Sequence, residues 1–174
     1  MEDLRQKVTG GGDLQGKLKG IASAIPGFGG YLAKDSRRDA DKLLRLHIAR
    51  QLDEQRSRMR GLTGKLGAGN LDAVGNLSKS ITKLQTLMDK IKTASYGSAS
   101  LFDAVRVKEE QLDALYTYDN SMLQGAPLLA TAVTALGAAV KSKQGLDEAL
   151  EGVANVVEQM GTAWSQRQDV ILQS

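Results

Sequence analysis

Leu146, Leu150, Val153, Val157, Met160 and Trp164 follow one another at steps of 4, 3, 4, 3 and 4. Val74, Leu77, Ile81, Leu84, Met88 and Ile91 do the same at steps of 3, 4, 3, 4 and 3. An apolar residue every 3.5 positions draws one seam along an α-helix, and that seam is stable only when another helix covers it. Two such seams restrict the fold to long helices packed lengthwise. The 146–164 seam is the candidate packing surface, and spacing alone leaves open whether it pairs within the chain or between copies.

The rest of the pattern agrees. Leu43, Leu44, His47, Ile48 and Leu52 stripe a charged segment that predicts a helix over about 32–60. Gly61, Gly64, Gly67 and Gly69 then read as a turn ending at Asn70. A second helix is expected over 71–94, with Tyr96, Gly97 and Ser98 breaking it. A third opens at Leu101 behind a Ser98 or Ser100 cap, with Pro127 expected to kink or interrupt it. The last spans 146–172. No run of alternating β-branched residues between turns marks a strand. Short connections favour antiparallel neighbours. The expected fold class is all-α: an antiparallel bundle of four long helices with coiled-coil-like packing (31–174), preceded by a Gly-rich N-terminal amphipathic segment (1–30). Of the glycines inside helical patterns, Gly75, Gly137, Gly152 and Gly161, close helix approach is expected at Gly152 and Gly161.

The first thirty residues stand apart, with eight glycines and the pair Pro26-Gly27. Leu14, Leu18, Ile21 and Ile25 recur at helical spacing from about Asp13 to Ala24, Phe28 follows, and Lys17 and Lys19 lie off that line. An apolar face of Leu14, Leu18, Ile21, Ile25 and Phe28 suits a membrane surface or a partner helix.

The chain has no cysteine, which excludes disulfides, thiolate zinc and cysteine nucleophiles and suits a reducing compartment. Met-Glu-Asp-Leu-Arg is not the start of a secretory signal, so a cytoplasmic protein is expected, peripheral to membrane if the arm binds one. Net charge is +3, divided unevenly: residues 1–100 carry +8 and residues 101–174 carry −5. Two explanations stand: basic and acidic helices face each other within one bundle or its neighbour, or a basic face meets an anionic partner. Lys17, Lys19, Arg37, Arg38, Lys42 and Arg45 are the candidate contacts for such a partner.

Several chemistries are poorly served. Gly11, Gly16 and Lys17 spell a truncated phosphate-loop pattern, but Leu18 stands where Ser or Thr should hold magnesium, and no strand precedes it. His47 is the only histidine, too few for a di-iron bundle. Asp103, Glu109, Glu110 and Asp113 lack the loop spacing of a calcium site. No catalytic, cofactor-binding or metal-ligating residues are therefore assigned. Residues 120–140 carry no charge and are long enough to span a bilayer. Their alanine content and heptad spacing favour a buried helix that lets neighbours approach. The basic segment near Phe28 and Tyr31 has too few aromatics to stack bases, and phosphate contact alone is non-specific.

Ile25-Pro26-Gly27 with Gly30-Tyr31, then Arg37 to Arg45 (RRDADKLLR), and Tyr96-Gly97, Leu101 to Val107 (LFDAVRV) and Leu112 to Tyr116 (LDALY) together resemble an uncharacterised family of bacterial helical proteins. The likeness covers about residues 25–172. It implies a prokaryotic, helical, cytoplasmic protein and supplies no site residues. The order of amphipathic arm, basic hairpin and acidic later helices is similar to the layout of phage-shock and ESCRT-III-like membrane-remodelling proteins. The resulting expectation is a non-enzymatic scaffold or adaptor that self-associates and binds an anionic membrane surface through its N-terminal arm. The alternative is a nucleic-acid-associated protein using the basic helix 34–60.

Overall fold

The computed structural model describes residues 10–28, 37–94 and 108–172, with the side chains of 10–15 and 109 outside that description. These residues form five α-helices: α1 (Gly10–Ala24), α2 (Arg37–Leu66), α3 (Leu71–Thr93), α4 (Glu109–Ser142) and α5 (Leu146–Leu172). No strand occurs among the described residues, and the fold is all-helical. The expected helix starts near Leu32 and Leu101, and the break at 95–100, lie outside them.

Both seams face the interior of this chain. Leu77, Leu84, Met88 and Ile91 of α3 are buried, as are Leu150, Val153, Val157, Met160 and Trp164 of α5, while Val74, Ile81 and Leu146 are half-buried. Each of α2 and α5 packs on both α3 and α4. The cyclic order is therefore α2, α3, α5, α4, with α2 and α5 on opposite corners. Side-chain contacts fix the directions. Arg58 of α2 reaches Ala130 and Thr134 of α4, and Leu62 lies beside Gly137, so α2 and α4 run parallel. Arg167 meets Asp119 while Met160 meets Gly125, so α4 and α5 are antiparallel. Consecutive helices α2/α3 and α4/α5 pair as antiparallel hairpins. α3 and α4 are instead diagonal, and the faces between the hairpins are parallel.

The turns follow from backbone chemistry. At the α2 to α3 corner Gly67 takes φ 71° and the Asn70 side chain donates to the Leu66 carbonyl at 2.9 Å. That corner starts later than the sequence suggests, because α2 runs through Gly61 and Gly64 to Leu66. Each glycine costs about 1 kcal/mol in a helix. Burying Leu66 and much of Leu62 returns up to about 1.5–3 kcal/mol per side chain, so packing decides. Between α4 and α5, Lys143 adopts φ 58° with its N–H on the Ala139 carbonyl, and Gly145 takes φ 64°. α4 continues through Pro127 as one helix, against the expected interruption; contacts with α1, α2 and α5 hold it on three sides.

Close approach also falls elsewhere than expected. A Cβ on Gly125 would stand 2.7 Å from Met160 Cγ, whereas at Gly152 and Gly161 it would meet nothing within 4 Å. The α4/α5 seam needs Gly125 because buried Met160 lies across it. Gly161 lines the open groove between α3 and α5.

α1 lies on α4. Ile21, Ile25 and Phe28 are buried there, Leu18 is half-buried, and Leu14 has its side chain outside the described residues. Pro26-Gly27 forms the centre of a tight turn, with Gly27 at φ 80° and the Phe28 N–H on the Ile25 carbonyl at 3.1 Å. That is the turn geometry Pro followed by Gly favours. Fifteen residues with five glycines make a poor isolated helix. Its order depends on docking.

Candidate functional site

The 146–164 seam continues past Trp164 to Arg167 and Ile171, at steps of 3 and 4. Arg167 thus occupies a core position, and it is 1% exposed. An unpaired guanidinium there would cost several kcal/mol in lost hydration. Two carboxylates answer it. Its Nε donates to Asp119 Oδ1 of α4, and its Nη2 donates to Asp41 Oδ1 of α2 at 2.6 Å. Asp41 Oδ2 accepts from Arg45 Nε at 2.8 Å, one helical turn on. Arg45 Nη1 then donates to the carbonyls of Ile91 and Lys92 at 3.1 and 3.2 Å, the exposed negative end of α3. The Arg167 guanidinium also lies 5.1 Å from the Trp164 ring centroid, a cation–π distance.

This cluster ties all four long helices together at one end. Two arginines meet two aspartates, so it is charge-neutral. The grooves beside Trp164, Leu150, Asn70 and His47 have walls that do not include Asp41, Asp119 or Arg167. The arrangement can fix helix register. Three of its four members escaped the sequence reading, although Asp41, Asp119 and Arg167 all fall on apolar stripes: Asp41 with Leu44 and Ile48, Asp119 with Leu115 and Met122, Arg167 with Trp164 and Ile171.

The candidate anionic-partner contacts separate into two groups. Lys19, Arg38 and Lys42 are exposed. Lys17 instead donates to Asp113 Oδ1 of α4 at 2.8 Å, and its side chain is 17% exposed. Arg37 and Arg45 are buried, the latter in the charge cluster. The expected set of contacts therefore loses Arg45, because Asp41 one turn earlier draws it inward. The phosphate-loop pattern lies inside a helix, with no loop to cradle a phosphate.

The candidate membrane face is likewise placed against the protein, since Ile21, Ile25 and Phe28 pack on the core. Among the described helices, α4 is long and apolar enough to cross a membrane by length and composition, with 39% of its apolar window buried in this chain. No group of three potential metal ligands occurs among the described residues. His47 borders a shallow cavity with Gln51, Glu54, Leu123 and Pro127. Its pKa is held below 6.5 by burial first and by the neighbouring Arg50 charge second. The larger groove, about 510 Å³, runs between α3 and α5 over Leu87, Val157 and Trp164, with Lys83, Lys90 and Glu158 at its rim. The chain matches no protein-family model, no curated protein and no solved structure.

Proposed function

We propose that this chain is a non-enzymatic scaffold or adaptor: a coiled-coil-like four-helix bundle that self-associates and, after its N-terminal arm lifts off, contacts an anionic membrane surface. The observation carrying this reading is the closed, neutral charge cluster. The buried arginines and aspartates satisfy one another, which leaves the outer surfaces and the arm to act. Such a protein would work in the cytoplasm and at the membrane periphery.

The arm supplies the conditional step. Docked, it hides Ile21, Ile25 and Phe28 and neutralises Lys17 on Asp113. Released, the same residues form an amphipathic helix with lysines beside an apolar face, suited to anionic lipid. A cysteine-free chain allows a clean test. A Cβ at Gly20 would lie 4.0 Å from Asn120 Oδ1, so the pair Gly20→Cys and Asn120→Cys can lock α1 to α4. Liposomes containing anionic lipid should sediment the reduced protein and leave the oxidised protein in solution. Equal sedimentation of both forms would remove the arm from the mechanism. A nucleic-acid role for the basic helix is the weaker alternative, because Arg37 and Arg45 point inward.

A further inference from the structure

The outward faces of α2 and α5 carry opposite charge. On α2, Lys42, Arg50, Arg60 and Lys65 are exposed, against Asp39 and Glu54, while Arg58 is turned onto Ala130 and Thr134 of α4. On α5, Asp147, Glu148, Glu151, Glu158 and Asp169 are exposed, and its single basic residue, Arg167, is in the core. The two helices stand on opposite corners. Neighbouring helix axes lie about 8–10 Å apart, so the outward charges are separated by roughly 25 Å across the diagonal. At physiological ionic strength screening acts over about 8 Å. The two stripes therefore do not neutralise each other within one chain.

We infer that the acidic outer face of α5 docks on the basic outer face of α2 of a second copy. This deepens the self-association reading and rests on it. The partner is chosen by complementarity of charge and of height. The Arg167–Asp41 bridge sets α2 and α5 level at those two residues. Counting along antiparallel rods at 1.5 Å per residue, Glu158 stands at the height of Arg50. Glu148 then falls beside Arg60, whereas Asp169 stands at the height of Asp39 and meets no cation there. A copy displaced sideways, with no rotation and no slip, brings the two Glu–Arg pairs together. α2 and α5 are also rods of similar length, 30 and 27 residues.

Because the faces lie on opposite sides, one contact leaves a free α2 on one copy and a free α5 on the other. Contacts of this heterologous kind propagate into open stacks unless a rotation closes a ring.

The test uses the full chain and surface charge reversals. Variant one carries Arg50→Glu and Arg60→Glu; variant two carries Glu148→Lys and Glu158→Lys. Unchanged circular dichroism and melting confirm that each folds. In light scattering and sedimentation at low salt, wild type should grow in mass with concentration and dissociate as salt rises. Each variant alone should lose association by on the order of tenfold or more, as removal of complementary charge predicts. Mixing the two variants, or combining all four substitutions in one chain, should restore it.

Wild type that associates equally well with either reversal would overturn this interface while leaving self-association standing. Wild type that stays monomeric at every concentration and salt would overturn both. If it stays monomeric yet binds a random duplex oligonucleotide, and only variant one loses that binding, the α2 face belongs to nucleic acid and the proposal is refuted.

Discussion

Replacing Arg167 by alanine is the sharpest test of how this fold is held. The substitution removes the donor shared by Asp119 and Asp41, which are 0% and 2% exposed. Asp41 keeps Arg45, whereas Asp119 loses the guanidinium that Arg167 places on its Oδ1. Leaving one member of a buried ion pair uncompensated costs about 3–5 kcal/mol. The void left by a fully buried side chain adds to that figure. Domains of this size have about 5–15 kcal/mol in total, and each kcal/mol moves the melting point by about 2–4 °C. Arg167→Ala should therefore lower the melting temperature by roughly 6–20 °C, followed by circular dichroism, with a matching fall in the urea midpoint. Asp119→Ala should cost a similar amount. The double variant should cost less than the sum, because the two share one interaction. Replacing all four charges by apolar residues of similar size (Asp41→Leu, Arg45→Met, Asp119→Leu, Arg167→Met) should be neutral or stabilising by about 1–4 kcal/mol. If Arg167→Ala lies within about 1 kcal/mol of the parent, the cluster is hydrated and the argument for a closed core fails.

Two further outcomes separate packing from propensity and charge. Gly125→Val should destabilise by about 1–3 kcal/mol through overlap with Met160, and Met160→Ala in the same chain should recover part of it. Gly152→Ala and Gly161→Ala, with open space at the new Cβ, should each stabilise by about 0.5–1 kcal/mol in denaturant titration. His47 binds its proton less readily in the folded chain than in the unfolded one, because burial and Arg50 oppose the charge. The unfolded state then takes up the proton first as pH falls below 6.5. Stability should decline from that pH down to the lowered native value and level off beneath it. His47→Gln should abolish that segment of the pH profile; an unchanged slope would assign it to other groups.

The sequence reveals the rods far better than their contacts. α5 begins and ends where its seam does, and α3 needs only the second seam and Asn70. The parallel α2/α4 and α3/α5 faces were not legible, since a 3.5-residue repeat states that a helix is covered and not by which neighbour. The charge cluster was hidden for a related reason. Asp41 and Arg45 are visible as an i,i+4 pair, but Arg167 lies 126 residues from Asp41 and 48 from Asp119. Only the folded chain shows that three charged seam positions share one layer. Arg45 consequently reads as a surface cation until Asp41 is known to be buried. Gly125 does not stand out in a weakly apolar, alanine-rich stretch, whereas Gly152 and Gly161 lie near a clean seam.

The interior and exterior charges are connected through helix height. The Asp41–Arg167–Asp119 contacts permit little sliding of α5 against α2 and α4, because a slip of one turn, about 5.4 Å, would separate Arg167 from both carboxylates. The same slip would change the outer surface. Glu158, now level with Arg50, would stand at the height of Glu54 in one direction or of Leu46 in the other. A copy arriving on the α2 face would then meet like charge or an exposed apolar side chain in place of a cation. The buried cluster and the proposed interface therefore make opposite demands on two separate sets of arginines and carboxylates. Those inside must cancel so that the rods lock in one register, and those outside must stay in solvent, as Glu158 does even with Lys83 at 3.8 Å, so that the register can be read by the next copy.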